Sequence, residues 1–285
     1  MPTAAIVSKP NKPELREVLT GVIDWLGAHG YEVLLDQCSA AYIKGLPQAD
    51  REQLHTYKPE FAVVLGGDGT LLAAARAFAR ARIPLLAVNL GSLGFLTEIS
   101  LGELYAHLQS ITEQCCIIDE RAMLHCRLIR NGKVEHEHDA LNDVVMKATA
   151  ARLADFELSV NGQRVTDYKA DALIVATPTG STAYSLAAGG PILVPSVKAF
   201  LITPVSPHAL THRPLVVEES SKISVIVSVG PEEGFLAMDG QVSVPIKSGD
   251  CVECELAQHR VRLIRECDGQ KFFDVLRTKL HWGER

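Results

Sequence analysis

The sequence lacks a long apolar run and an excess of positive charge. No apolar stretch reaches the roughly 18 residues that a membrane-spanning helix needs, and the one at residues 4–7 is too short for the core of a signal peptide. The net charge is −6 at pH 7, whereas nucleic acids and anionic membranes select proteins with a basic face. The sequence therefore predicts a cytoplasmic protein that binds neither nucleic acid nor membrane.

A second cysteine pair at metal-binding spacing is also missing. The chain has seven cysteines, an odd number, and no secretion signal, which indicates reduced thiols. Cys251 and Cys254 have C-x-x-C spacing without a second pair, and residues three apart on a strand point to opposite faces. We expect both to serve in packing, and we predict no dedicated metal site.

The first third of the chain has alternating strand and helix patterns. Residues 4–7, 31–35, 61–65 and 84–88 are short apolar runs typical of buried strands, and residues 14–29 have helical periodicity. A length of 285 residues corresponds to about two domains. We predict that residues 1–115 form an α/β domain with a parallel, Rossmann-like sheet.

The pattern changes near residue 115, where short alternating runs separated by turn residues begin. Asn131-Gly132 and Asn161-Gly162 each separate two such runs, which predicts two β-hairpins. We predict that residues 116–270 form an all-β, sandwich-like domain with one helix near residues 181–188. Residues 271–285 form a C-terminal segment, in which residues 272–276 are a candidate strand returning to the first domain.

A glycine-rich loop follows the third of the early strands and opens a helix; it reads Gly66-Gly67-Asp68-Gly69-Thr70. Glycine allows the backbone to approach a ligand closely, and the amides at a helix N-terminus suit phosphates. A carboxylate inside a phosphate loop repels the ligand unless it has a function of its own. Asp68 is a candidate to take a proton from a hydroxyl or to hold Mg²⁺, and the structural alternative is a helix N-cap.

This loop resembles that of three groups of kinases: NAD kinases, 6-phosphofructokinases and diacylglycerol-type lipid kinases. Two further segments resemble the NAD kinase family specifically. One is Leu141-Asn142-Asp143-Val144-Val145, and the other is the long segment from Thr177 to Pro191, TPTGSTAYSLAAGGP. Supporting matches are the segments NLGSLGFL at residues 89–96, PHALTHRPLV at 207–216 and DGQ at 239–241, so that the resemblance covers almost the whole chain.

The resemblance implies a role for each matched position. Asp68 would be the general base that deprotonates the 2′-hydroxyl of NAD, and Asn142 and Asp143 would bind ribose hydroxyls. Asp143 stands where many relatives have glutamate, and the shorter acid keeps the charge. Lys169 and Asp171 would contact the nicotinamide half. The other implied NAD contacts are Gly69, Phe95 or Leu96, Arg152, Thr182, Ala183, Tyr184, Ser185, Leu186, Ala187 and Gln241.

The resemblance also implies the reaction and its participants. The family transfers a phosphoryl group from ATP, or in some members from polyphosphate, to the adenosine ribose of NAD, with a divalent cation that is usually Mg²⁺. A homodimer or homotetramer formed through the β-rich domain is expected. The alternatives are a lipid or sugar-phosphate kinase, which shares the glycine loop but does not explain residues 177–191, and a non-catalytic dinucleotide-binding regulator, which gains little from Asp68.

Overall fold

Apolar strands buried on both faces alternate with helices over the first 120 residues. The computed structural model describes residues 1–91, 94–149, 153–230, 234–265 and 272–282. The chain divides into two units, one of residues 1–120 with 259–285 and the other of residues 121–258. The second unit therefore ends at Gln258, whereas the sequence analysis placed its end at residue 270.

The first unit begins with a parallel sheet and its helices. Two 3₁₀ helices, Arg51–Tyr57 and Leu101–Glu103, lie between the strands and α-helices of this unit. The strands are β1 (Thr3–Ser8), β2 (Glu32–Asp36), β3 (Gln48–Ala49), β4 (Phe61–Gly66), β5 (Leu85–Asn89), β6 (Ile99–Ser100) and β7 (Ile117–Arg121). The α-helices are α1 (Leu15–Ala28), α2 (Gln37–Ala40), α3 (Asp68–Phe78) and α4 (Leu104–Thr112).

The second unit is a sandwich of two antiparallel sheets with one short α-helix, α5 (Tyr184–Ala187). Its first strands are β8 (Leu124–Arg130), β9 (Lys133–Ala140), β10 (Asp143–Ala148), β11 (Ala154–Val160), β12 (Gln163–Ala170) and β13 (Ala172–Ala176). The others are β14 (Ala199–Val205), β15 (Leu215–Glu218), β16 (Ile223–Ser228), β17 (Gly234–Met238), β18 (Val242–Ile246) and β19 (Cys251–Leu256).

The two sheets of the sandwich share one apolar core. One sheet has the order β15-β14-β13-β10-β17-β18 and the other β12-β11-β16-β19-β8-β9. Alternate residues of both enter the core, for example Val144 and Met146 from β10 and Phe156 and Leu158 from β11, as expected for packed sheet faces. Both predicted hairpins, β8–β9 and β11–β12, are confirmed.

After the sandwich the chain returns to the first unit through β20 (Val261–Arg265) and α6 (Phe272–Leu280). Strand β20 pairs in parallel with β5, which completes the sheet order β3-β2-β1-β4-β5-β20-β7, with β6 on β5. The predicted C-terminal strand is wrong, because Val275 and Leu276 form the buried side of a helix. An alternating sequence predicts a strand but not the sheet that it joins, so the domain end was placed too late.

The helix predicted near residues 181–188 is interrupted. Residues Thr179–Thr182 form a 3₁₀ turn, and α5 is a single turn that begins at Tyr184. Ala183 separates them with φ −96° and ψ −131°, which is not helical. The hydroxyls of Ser181 and Thr182 donate to Pro178 O and Thr179 O, and such local bonds compete with a regular helix.

We expect the sandwich core to depend strongly on Phe156, whose side chain is fully buried between the sheets. Phe156→Ala should lower the free energy of unfolding of this unit by about 3–5 kcal/mol, because it removes apolar contacts and leaves a cavity. Val165→Ala, on the exposed side of the adjacent strand β12, is the control and should cost within about 1 kcal/mol. Urea denaturation followed by circular dichroism measures both, and equal losses would contradict this packing.

Candidate functional site

The glycine loop joins β4 to α3 in the first unit. Gly66 ends the strand, Gly67 is the N-cap in an extended conformation, and Asp68 is the first helical residue. The N-cap role considered for Asp68 is therefore wrong. Gly69 is exposed and Thr70 is half-buried, so the loop presents a helix N-terminus, where backbone N–H groups favour anions.

The Asp68 carboxylate accepts four hydrogen bonds from a second loop, residues 94–98, which we call the clamp loop. Oδ1 accepts from Leu96 N at 3.2 Å, Thr97 N at 3.0 Å and Thr97 Oγ1 at 3.0 Å. Among the described residues, Oδ2 accepts from Phe95 N alone, at 3.0 Å. One oxygen is thus saturated, while the other keeps room for a further donor. This geometry gives Phe95 and Leu96 a backbone role that the sequence analysis did not foresee.

Gly94 makes the close contact between the two loops possible. A Cβ atom on Gly94 would lie 2.1 Å from Asp68 Oδ1 and 2.3 Å from Thr97 Oγ1. Both distances are far below van der Waals contact, so any side chain at this position would displace the carboxylate.

In the second unit, a turn at Asn142 and Asp143 is held by another carboxylate. Asp239 accepts hydrogen bonds from the backbone N–H groups of Leu141 at 3.0 Å, Asn142 at 2.7 Å and Asp143 at 3.2 Å. Asp239 lies in the turn between β17 and β18 with φ 52°. The sequence analysis quoted this residue in the D-G-Q match but assigned it no role.

The long matched segment packs directly against the same turn. Thr177 Oγ1 donates to Leu141 O at 2.6 Å, and Thr177 N donates to Asn142 O at 2.9 Å. A Cβ atom on Gly180 would lie 2.0 Å from Asn142 O. Glycine at this position therefore serves the close approach of two backbone segments.

The turn leaves two polar groups available for a ligand. Asn142 Oδ1 is buried and accepts no hydrogen bond from the residues that the structure describes. Burial, followed by the negative charge of Asp239, raises the pKa of Asp143 to about 7, although the backbone N–H of Tyr184 opposes this shift. A buried acceptor without a donor is costly, so this pair suits a ligand that brings hydroxyl groups.

Both residues line a cavity of ≈ 370 Å³ in the second unit. Ala183 and Tyr184, which the sequence analysis predicted, line it as well. The alternation of side chains along β10 could have indicated which of its residues face outward. The register in which β17 pairs with β10 could be obtained only from the structure. The lining residues that the sequence analysis missed are Val145, Lys147, Phe235, Ala237, Asp239 and Gly240.

The other predicted contacts lie outside the lining of this cavity. The Ser185 hydroxyl is buried and shares a hydrogen bond of 2.9 Å with Thr203 Oγ1. Lys169 and Asp171 are exposed at the junction of β12 and β13. Thr182 and Leu186 are half-buried, and Ala187 and Gln241 are exposed. The predicted contact Arg152 lies outside the described residues.

Strand β2 ends in an acid that is not available for a ribose. In many dinucleotide-binding sheets an acidic residue early in the fold binds a ribose hydroxyl. Here Asp36 Oδ2 accepts from Arg51 Nε at 3.0 Å and NH2 at 2.6 Å, and Oδ1 accepts from Ser39 N at 2.7 Å. Its side chain is 1% exposed, so Asp36 has a structural role.

Comparison with known proteins identifies the family. The ATP-NAD kinase N-terminal domain matches residues 4–115, and the ATP-NAD kinase C-terminal domain matches residues 141–266. The chain belongs to the NAD kinase family. It is 56% identical to the NAD kinase of Koribacter versatilis over the full length of both chains. It is 49% identical to that of Acidobacterium capsulatum, over 99% of each chain.

Solved structures of the family have the same fold. Yeast NADH kinase complexed with NADH superposes with a TM-score of 0.89 at 27% identity, over 100% of this chain and 89% of that one. An NAD kinase from Archaeoglobus fulgidus in complex with ATP has a TM-score of 0.78 at 26% identity, over 98% of each chain. The predicted fold, an α/β domain followed by a β-sandwich, is confirmed.

Asp143 should make the protein less stable as the pH rises. Its pKa of about 7 in the folded state lies above the ordinary value of 3.8 for an aspartate, so the folded state binds more protons than the unfolded state between pH 3.8 and pH 7. Stability therefore falls from about pH 4 to pH 7, by up to about 1.4 kcal/mol per pH unit. Asp143→Asn removes the titration, and its melting temperature should exceed that of the parent at pH 8 but not at pH 4. Parallel melting curves at the two pH values would contradict the buried acid.

Proposed function

We propose that this protein transfers the terminal phosphoryl group of ATP, or of polyphosphate, to the 2′-hydroxyl on the adenosine ribose of NAD and so makes NADP. The observation that carries the proposal is the Asp68 carboxylate, which is fixed at an anion-binding helix N-terminus in a chain that matches NAD kinases from end to end. A protein that only bound a dinucleotide would gain nothing from a fixed negative charge beside phosphates.

Binding of the acceptor falls to Asn142 and Asp143. Asn142 Oδ1 is buried and has no donor among the residues that the structure describes, and a ribose hydroxyl would supply one. Asp143 can donate while protonated and accept when ionised, so it complements either orientation of a neighbouring hydroxyl. Ala183 and Tyr184 line the same cavity, and the small side chain at residue 183 admits a flat ring.

Proton transfer falls to Asp68. In the proposed step the 2′-oxygen forms a bond to the terminal phosphorus while the bond from that phosphorus to the bridging oxygen breaks. The leaving group is ADP, and the 2′-hydroxyl proton passes to Asp68 Oδ2, the oxygen that holds a single internal hydrogen bond. In such reactions, positioning and charge stabilisation supply most of the acceleration.

A divalent cation, most commonly Mg²⁺ in such kinases, would neutralise charge on the transferred phosphates. No group of three or more candidate ligands that could hold a metal occurs in the described part of the chain. A cation that is bound mainly by the phosphates of ATP or polyphosphate, with one or two carboxylates, needs no such group, and this is the usual coordination of Mg²⁺.

We further propose that the enzyme is a cytoplasmic homodimer or homotetramer that binds neither nucleic acid nor membrane. The net charge of −6 supports the second part. In the described residues, no helix is both long enough and apolar enough to cross a bilayer. Lys169, Asp171, Arg152 and Gln241 remain proposed NAD contacts.

The activity is tested by NADP formation from NAD, ATP and Mg²⁺. Asp68→Asn keeps the size of the side chain but cannot take up the proton, so kcat should fall by about 100-fold or more. Asp24→Asn, on an exposed position of α1, is the matched control and should keep the parent rate. If the folded parent made no NADP with ATP or polyphosphate, the proposal would be overturned, and turnover with a lipid or sugar phosphate would replace it.

The ribose site is tested by Asn142→Ala. Loss of the buried Oδ1 acceptor should raise KM for NAD by about 10-fold or more, which corresponds to about 1.4 kcal/mol for one hydrogen bond. KM for ATP should stay within about 2-fold, because we assign this residue to the acceptor alone. Asn161→Ala, in the hairpin turn after β11, is the control. Equal changes in both KM values would contradict the assignment.

A further inference from the structure

The hydrogen bonds to Asp68 come unequally from the clamp loop, and one residue supplies half of them. Thr97 donates through both its backbone N and its side-chain Oγ1, each at 3.0 Å from Asp68 Oδ1. Thr97 is fully buried, and its carbonyl accepts from Gly94 N at 3.3 Å, which closes the loop. The threonine hydroxyl therefore raises the number of donors to Oδ1 from two to three, against one donor to Oδ2.

The difference between the oxygens has a chemical consequence. A carboxylate that is free to rotate about its Cβ–Cγ bond presents either oxygen to a substrate and spends little time in the reactive orientation. Three donors on Oδ1 against one on Oδ2 hold the plane of the carboxylate. A proton acceptor must lie within hydrogen-bond reach of the reacting hydroxyl, and small misplacements cost large factors in rate.

The side of the clamp loop away from Asp68 is anchored by the last strand of the chain. Arg265, in β20, donates from NH2 to Leu96 O at 3.4 Å. Its NH1 lies 3.4 Å from Glu98 Oε2, and its Nε lies 3.6 Å from Asp119 Oδ2. The side chains of Arg265 and Glu98 are each 7% exposed, so salt in the solvent screens the attraction between their charges only weakly.

We propose that Thr97 and Arg265 are positioning residues for phosphoryl transfer. Thr97 fixes the Asp68 carboxylate so that Oδ2 faces the reacting hydroxyl, and Arg265 fixes the clamp loop that carries Thr97. This inference rests on the proposed function, because it assigns the proton transfer to Asp68. It also assigns a function to the return of the chain from the sandwich to the first unit, because β20 carries the Arg265 guanidinium that anchors the clamp loop.

The hydroxyl is tested by a pair of substitutions at Thr97. Thr97→Val has nearly the same shape but places a methyl group against Oδ1, so kcat should fall by about 10- to 100-fold. KM for NAD and for ATP should stay within about 3-fold, because the residue touches neither substrate. Thr97→Ser keeps the hydroxyl and should recover kcat to within about 3-fold of the parent. A valine variant with parental kcat, or a serine variant as slow as the valine variant, would overturn the role of the hydroxyl.

The anchor is tested by Arg265→Lys, which keeps the positive charge beside Glu98 but loses the fork that reaches three partners. Its kcat should fall by about 10-fold with little change in either KM. Arg262→Lys is the control: it lies on the same strand and donates to Arg82 O at 3.0 Å, away from the clamp loop. A rate equal to that of the control would overturn the anchoring role.

Hydrogen–deuterium exchange supplies a readout that does not depend on turnover. The amides of residues 95–97 are bonded to Asp68, so they should exchange faster in Arg265→Lys than in Arg262→Lys, while peptides of the sandwich stay unchanged. Unchanged exchange at these amides would overturn the anchoring. If the parent protein forms no NADP, the proposed function and the catalytic part of this inference both fail. If the parent forms NADP but the exchange of these amides is unchanged, only the anchoring by Arg265 fails.

Discussion

In each of the two units, a carboxylate is hydrogen-bonded to the backbone amides of a neighbouring loop. Asp68 accepts three backbone N–H groups and a hydroxyl from the clamp loop, and Asp239 accepts three backbone N–H groups from the turn at Asn142. The backbone N–H groups of an irregular loop lack the acceptors that a helix or sheet would supply, and a carboxylate shielded from water needs donors. The hydrogen bonds between them satisfy both groups. Bonds to a charged acceptor contribute about 1.5–3 kcal/mol each, which is enough to hold both loops in one conformation.

The partners of each buried acid separate structural carboxylates from those available for chemistry. Asp36 is neutralised by Arg51. For Asp250, burial raises the pKa, but hydrogen bonds from Arg130 and from Lys247 N outweigh it and lower the pKa overall. Asp143 differs from both: its pKa is raised, and it faces a cavity beside an amide oxygen, Asn142 Oδ1, that has no donor in the described part of the chain. A carboxyl group that changes its charge near neutral pH can exchange roles with a ligand hydroxyl, whereas an ion-paired one cannot.

The sequence predicted most of the elements, because buried parallel strands, amphipathic helices and Asn-Gly hairpins leave local patterns. It also singled out Asp68, Asn142 and Asp143 as candidate site residues through motif resemblance. It could not predict the bonds of the clamp loop to Asp68, because these join residues about 28 apart through backbone amides, which have no sequence signature. The return of β20 and the role of Asp239 are equally non-local. The break at Ala183 was missed because serine and threonine before a run of small residues also fit a helix start.

The glycines of the matched motifs serve close packing at two positions. A Cβ atom would lie 2.0 Å from Asn142 O if added to Gly180, and 2.1 Å from Asp68 Oδ1 if added to Gly94, so neither position has room for a side chain. In both cases the backbone of one loop takes the place that a side chain would occupy, so the loop is positioned by steric fit as well as by hydrogen bonds. Glycine in these motifs thus determines where the acid or the amide points. In the proposed function, recognition of the ligand falls to the acid and the amide.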